Sequence, residues 1–262
     1  MTDDQSKHGN DHAPAPTTKA ATQEQPAQAR RPARFVRWLV RLILAVLAVG
    51  LGYHAWIFAQ VWWLRSHNPE STTFMQQGLE RLRERNPQAR LQHRWTPYEQ
   101  ISVYLKRAVI AAEDQKFLAH EGFDWQEMEK AFERNQRKQR VVRGASTISQ
   151  QLAKNLFLTT ERSYWRKAEE ALITVMIERT LDKRRILEIY LNVIEWGNGV
   201  YGAEAAAQHY YGTSAAGLGP AEAARLAAMI PNPRFYDRNR STPWLEERTN
   251  MLLGQMDFTP VP

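Results

Sequence analysis

The amino-acid sequence predicts a mainly α-helical domain held behind one membrane-spanning helix. Three observations carry that expectation. An uncharged apolar run, LILAVLAVGLGYHAWIFAQVWW, extends from Leu42 to Trp63, and its length matches the roughly 20 residues that cross a bilayer core. Beyond it, apolar side chains recur at three- and four-residue intervals, the spacing of one helix face. No sustained alternation of apolar and polar residues occurs, so any strands are expected to be short.

The elements follow in order. Residues 1–34 are expected to form a disordered cytoplasmic tail, because a stretch rich in Ala, Pro, Gln and Thr buries too little to offset its ordering entropy. Residues 35–64 are expected to form the transmembrane anchor. Arg30, Arg31, Arg34, Arg37 and Arg41 precede the apolar run and Arg65 follows it, which puts the N-terminus in the cytoplasm. Tyr53, Trp56, Trp62 and Trp63 would then reach the outer interface, where amphipathic rings are favoured. A cleaved signal peptide would have a shorter apolar stretch and a small-x-small site, and QVWWLRS offers none. Residues 65–262 are expected to form one exported domain. After the loop SHNPESTTF, helical spacing recurs in YLKRAVIAAEDQKFLAH, from Ser163 to Asn192, and in PAEAARLAAMI.

Composition narrows the chemistry. A formal charge of +7 favours polyanionic partners. The chain has no cysteine, which excludes disulfides, thiol nucleophiles and cysteine–zinc sites. HExxH, P-loop and dinucleotide fingerprints are absent, and no serine stands in a nucleophile elbow or a Ser-x-x-Lys pair. The basic stretch from Arg134 to Arg143 falls outside the membrane, where anionic lipid or a lipid diphosphate suits it better than nucleic acid.

Three segments could carry chemistry. In AAEDQKFLAHEGFDW, Glu113, Phe117 and His120 are spaced by four and three residues and are expected to share a helix face. Burial of Glu113 against AVIAA would raise its pKa above about 4.3 and suit it to act as a base. A solvated Glu–Asp pair with a capping His120 is the plainer alternative. In RGASTISQQLAKN, Gly144 relieves the backbone, and Thr147 with Gln150 fits a capping box. Free amides at that helix start would attract anions, and Lys154 adds charge. A cap does not explain Ser146, Ser149, Gln151 and Asn155. In the third segment Arg166 and Lys167 lie four and three residues before Glu170. That is either a helical salt bridge in its weaker order or a cationic pair for a departing diphosphate.

Together these segments resemble the peptidoglycan glycosyltransferases, a family of stand-alone enzymes and of first domains in bifunctional penicillin-binding proteins. Glu113, Asp114, Phe117, His120 and Gly122 fit E-D-x-x-F-x-x-H-x-G. Gly144, Ser146, Thr147, Gln150, Gln151, Lys154 and Asn155 fit the second motif, with Ser149 where the family often has threonine. Arg166, Lys167 and Glu170 fit R-K-x-x-E, and Ile186, Leu187, Glu188, Tyr190, Leu191 and Asn192 fit I-L-E-x-Y-L-N. Gly199, Tyr201 and Gly202 resemble a fifth, softer motif, and the likeness covers about residues 70–235.

The resemblance implies a lysozyme-like helical domain with a smaller, membrane-proximal lobe. It implies polymerisation of lipid II into β-1,4-linked glycan with inversion, releasing polyprenyl diphosphate, at the bacterial inner membrane with the catalytic domain periplasmic. Glu113 would be the base and Glu170 the second catalytic carboxylate. Asp114, Phe117, His120, Gly144, Ser146, Thr147, Gln150, Gln151, Lys154, Asn155, Arg166 and Lys167 would bind substrate. No obligatory cofactor is implied, with a divalent cation such as Mg2+ optional at the diphosphate. The implied partners are the membrane, lipid II, the growing glycan chain and cell-wall synthesis or division proteins. The chain's length leaves no room for a penicillin-binding domain, which suggests a monofunctional member. Two alternatives stay open: a lysozyme-like glycan-cleaving enzyme, which needs no diphosphate-binding cations, and an inactive membrane-anchored scaffold, which needs no carboxylates at 113 and 170. Spacing also leaves open whether Glu169 can share the role of Glu170.

Overall fold

The computed structural model describes residues 32–138, 145–161 and 163–262. Most of the expected tail, the end of the basic stretch and Gly144 lie outside the described residues. The chain divides into two compact units, residues 1–49 and 50–262.

Helix α1 spans Pro32–Trp63, so residues 32–34, expected as tail, are already helical. Pro32 opens it, a position where a missing N–H costs nothing. In the first unit its apolar side chains stand exposed, Phe35, Leu42, Leu44 and Val49 among them. A 30-residue helix from Arg34 to Trp63 with such a surface is long and apolar enough to cross a membrane, and fits a single-pass anchor. The second unit adds something the apolar run did not announce. Ile57, Val61 and Leu64 are 2%, 0% and 6% exposed and belong to the core of the domain. The last turns of α1 therefore serve the domain as well as the membrane.

The domain continues through α2 (Thr73–Arg83), α3 (Val103–Glu113), α4 (Trp125–Lys138), α5 (Ile148–Phe157), α6 (Tyr164–Thr180) and α7 (Lys183–Val193). It ends with α8 (Ala203–Tyr211), α9 (Pro220–Met229), α10 (Pro233–Arg238) and α11 (Pro243–Met256). The strands are short, as expected: β1 (Gln92–His93), β2 (Glu195–Gly197) and β3 (Val200–Tyr201), in the order β1-β3-β2. β1 and β3 are parallel, and β2 pairs antiparallel to β3.

Packing follows from side-chain size. Ala223, Ala224, Ala227 and Ala228 are buried along α9, letting α3 and α11 approach its backbone closely. Helix α7 buries Ile186, Leu187, Ile189, Tyr190, Leu191 and Val193 as a broad apolar face, leaving Lys183, Arg184, Arg185 and Glu188 outside it. Each such side chain contributes about 1.5–3 kcal/mol on full burial. Asn192, though polar, is fully buried because its amide donates to Thr96 O at 2.9 Å and Glu188 O at 2.8 Å and accepts from Thr96 N at 2.8 Å.

Two expected helices are cut short. The run from Ser163 to Asn192 breaks at Leu181, and Asp182 starts α7 by accepting from Arg185 N at 2.7 Å. Helix α3 stops at Glu113, because Asp114 leaves the helical region at φ −161° and ψ 74°. Glu113, Phe117 and His120 therefore do not share a helix face, and turns carry the chain on to α4. One of these turns needs Gly122: its φ is 92°, and a Cβ there would sit 2.9 Å from Thr174 Cγ2.

Candidate active site

The start of α5 organises the site. Thr147 is its N-cap, accepting from Gln150 N at 3.2 Å while Gln150 Oε1 accepts from Thr147 N at 3.0 Å. The Thr147 hydroxyl donates onward to Gly122 O at 2.7 Å, which ties the cap to the turn before α4. Asp114 accepts from Ile148 N at 3.0 Å. These three amides have protein partners, and Asp114 already supplies the negative charge that a helix start favours.

Asp114 also fixes a histidine. His120 Nδ1 accepts from Gly122 N at 3.1 Å, so the ring proton is on Nε2, which donates to Asp114 at 2.9 Å. Phe117 is fully buried beneath Lys183, whose Nζ lies 4.7 Å from the ring centre. Asn155 is buried on α5, and Ser149 donates to Glu178. Phe117 and Asn155, expected as substrate contacts, have their side chains buried, and the His120 ring is committed to Asp114 and Gly122.

Two clefts of about 260 Å3 each meet at Ser146. The first is lined by Glu113, Asp114, Lys116, Glu127, Arg134 and Thr147 among others. Glu113, at the last position of α3, is half-buried and its Oε2 accepts from Gln151 Nε2 at 2.7 Å. Gln151 Oε1 in turn accepts from the Tyr190 hydroxyl at 2.8 Å. Tyr190 thereby decides which end of the Gln151 amide faces the carboxylate. Its own hydroxyl stays protonated: burial first, then the nearby Glu113 and Asp114, pushes its pKa well above the ordinary value. The sequence placed Tyr190 within a motif and on an apolar helix face, with nothing to mark its hydroxyl as part of the site.

The second cleft is cationic. Gln150, Gln151, Lys154, Arg166, Lys167 and Glu170 line it, with Phe74 and Thr160 at its edge. Glu170 is buried and accepts from Arg166 Nη1 at 2.8 Å and from Lys167 Nζ. Lys167 also reaches Ser146 Oγ at 3.3 Å. Lys154 Nζ hangs 5.9 Å from the Phe74 ring centre. Its pKa is lowered, by burial above all and further by Arg166 and Lys167, while Glu170 and Glu113 pull it back up. Adjacent helical residues differ in direction by a wide angle, and Glu169 points elsewhere: it accepts from the Tyr53 hydroxyl at 2.6 Å. Its carboxylate is committed to Tyr53, apart from the Arg166–Lys167–Glu170 cluster.

Residues 79–257 match the family model described as Transglycosylase. A biosynthetic peptidoglycan transglycosylase of Nitrosospira multiformis is 59% identical over 228 residues, covering 87% of this chain and 99% of its own. One from an Azoarcus species is 60% identical over 226 residues, covering 86% and 97%. One from Laribacter hongkongensis is 54% identical over 227 residues, covering 87% and 100%. The ordered motifs, the helical lysozyme-like domain and these similarities agree: the chain belongs to the peptidoglycan transglycosylase family.

Proposed function

We propose that this glycosyltransferase lengthens peptidoglycan strands by transferring glycan from a lipid diphosphate to the 4-hydroxyl of lipid II, with inversion. The observation that supports it best is the junction at Gln151, which lines the cationic cleft and hydrogen-bonds Glu113 in the acidic one. Base and diphosphate site are thus one side chain apart. The acceptor hydroxyl gives its proton to Glu113 as its oxygen attacks the anomeric carbon. The bond from that carbon to the phosphate oxygen breaks, and its electron pair leaves with the diphosphate. Lys154, Arg166 and Lys167 meet the charge that develops there. Glu170 holds the last two in place.

The residues present do not fit a resident Mg2+. Among the described residues no group of three or more His, Asp or Glu could hold a metal, and the Glu170 carboxylate is already taken by two cations. Purified enzyme should turn lipid II into polymer. Cleavage of preformed glycan without polymer would establish the hydrolase instead.

Lys154 gives the reaction an alkaline limit. A lysine whose pKa is lowered keeps its proton below that value and loses it as pH rises, earlier than an ordinary lysine. Affinity for a diphosphate lipid should therefore fall on the alkaline side, below the usual lysine range. Lys154→Arg should move that limb upward, since a guanidinium does not deprotonate there. A pH profile of binding unchanged by the substitution would remove Lys154 from the site.

Orientation is part of the same reading. Arg34, Arg37 and Arg41 before the apolar stretch support an N-terminus in the cytoplasm and a periplasmic domain. A reporter fused after Pro262 should be active only in the export compartment; cytoplasmic activity would overturn the orientation.

A further inference from the structure

We infer that Tyr53, on the anchor helix, is a positioning residue for the diphosphate cleft, acting through Glu169 and α6. The inference rests on the proposal that Arg166 and Lys167 hold the diphosphate.

Helix α6 carries those cations on a turn held by polar contacts alone: Ser163 caps it, and Arg166 and Lys167 bond Glu170. Its buried residues are Glu170, Ile173, Thr174 and Ile177, none of them before Glu170. Tyr164 and Trp165, at its start, are 99% and 82% exposed. Burial therefore fixes the far end of α6 and leaves the turn that bears Arg166 and Lys167 without an apolar footing. Rotation of that turn would swing both cations relative to Lys154 on α5.

The anchor supplies the missing brace. Tyr53, Ile57, Val61 and Leu64 follow one another by four, four and three residues, so they lie along one face of α1. Three of the four are buried in the core of the domain. The fourth, Tyr53, is 44% exposed, extends the same face and donates to Glu169 Oε1 at 2.6 Å. At the other end Arg185 Nε donates to Leu64 O at 2.8 Å, and its Nη2 to His67 O at 2.7 Å. The stripe is thus pinned at points about 16 Å apart along the helix axis, the inner one on α6 beside Glu170. A carboxylate accepting a hydrogen bond from a phenol O–H makes a stronger bond than a neutral pair. Glu169 cannot turn into the cleft, nor Glu170 out of it, while the bond holds.

Four full-length variants test this in lipid vesicles: Tyr53→Phe, Glu169→Ala, the two together, and Glu169→Gln. Polymerisation by the unmodified protein is scored first, and its absence would sink the proposed function rather than this inference. Tyr53→Phe and Glu169→Ala should each raise KM for lipid II about 5-fold or more, the lower end of typical coupling between sites. The double variant should lose no more than either single one, as expected when both remove one interaction. Glu169→Gln keeps an acceptor oxygen and should retain most affinity. Melting temperature should hardly change in any of them. Unchanged KM in Tyr53→Phe overturns the inference. So do additive losses in the double variant, and so does a loss that follows the melting temperature, since that would mark Tyr53 as packing alone.

Discussion

Glu113→Gln should reduce lipid II polymerisation by about 10²–10⁴-fold, the range general-base help is worth, while fold and membrane association stay intact. The structure says why the fold should survive. Glu113 is half-buried, and its Oε2 accepts a hydrogen bond from the Gln151 amide. A glutamine at 113 still presents an oxygen to that amide, and Tyr190 still orients it from the far side. Only the capacity to take a proton is lost. The measurement is the initial rate of polymer formation, with a melting curve on the same sample. A variant that polymerises at near the normal rate would require another base, and among the described residues no other carboxylate in the acidic cleft shows a hydrogen bond to a residue lining the cationic one as Glu113 does to Gln151.

Replacing both Arg166 and Lys167 by Gln should abolish turnover and also weaken the fold, and the second effect can be undone separately. On sequence alone the pair could be an exposed salt bridge whose loss costs a few tenths of a kcal/mol. The structure makes the acceptor buried: the Glu170 side chain is 4% exposed, against 17% for Arg166 and 46% for Lys167. Removing both cations leaves a carboxylate with little access to water, which costs about 1–3 kcal/mol, lessened because Lys167 itself is well solvated. Adding Glu170→Gln removes the stranded charge. The triple variant should recover most of the lost melting temperature and none of the activity. Activity returning with stability would show that the cations serve only to neutralise Glu170.

Much of this site is spelled out locally. Arg166, Lys167 and Glu170 lie within one helical turn and meet as their spacing requires. Thr147 and Gln150 form the capping box that a hydroxyl three residues before a glutamine announces. What could not be read is the meeting of distant residues. Asp114 reaches Ile148 N across 34 residues, Gln151 reaches Glu113 across 38, and Tyr53 reaches Glu169 across 116. The first of these has a local consequence that misled the reading of AAEDQKFLAHEGFDW. Periodicity there continues past Glu113, but a carboxylate committed to another helix and to His120 accompanies an extended backbone at Asp114, and α3 ends. Helix α1 misled in the opposite way: Ile57, Val61 and Leu64 are as apolar as lipid-facing residues, so hydropathy cannot distinguish a side chain facing lipid from one facing a protein core.

The charge of the cationic cleft also bears on how the enzyme lets go. With Lys154 protonated, three cations face one carboxylate, Glu170, leaving two positive charges. A glycosylated lipid diphosphate carries two negative charges, so the bound donor is neutralised. Once the sugar has moved on, the lipid diphosphate has a freed terminal phosphate able to carry a further charge. Under the proposed mechanism, and by charge alone, the cleft attracts the spent carrier more strongly than the donor it came from, so release of the carrier is expected to limit turnover. Accumulated polyprenyl diphosphate should act as a competitive inhibitor, relieved by mild acid that protonates its terminal phosphate and by salt that screens the cleft.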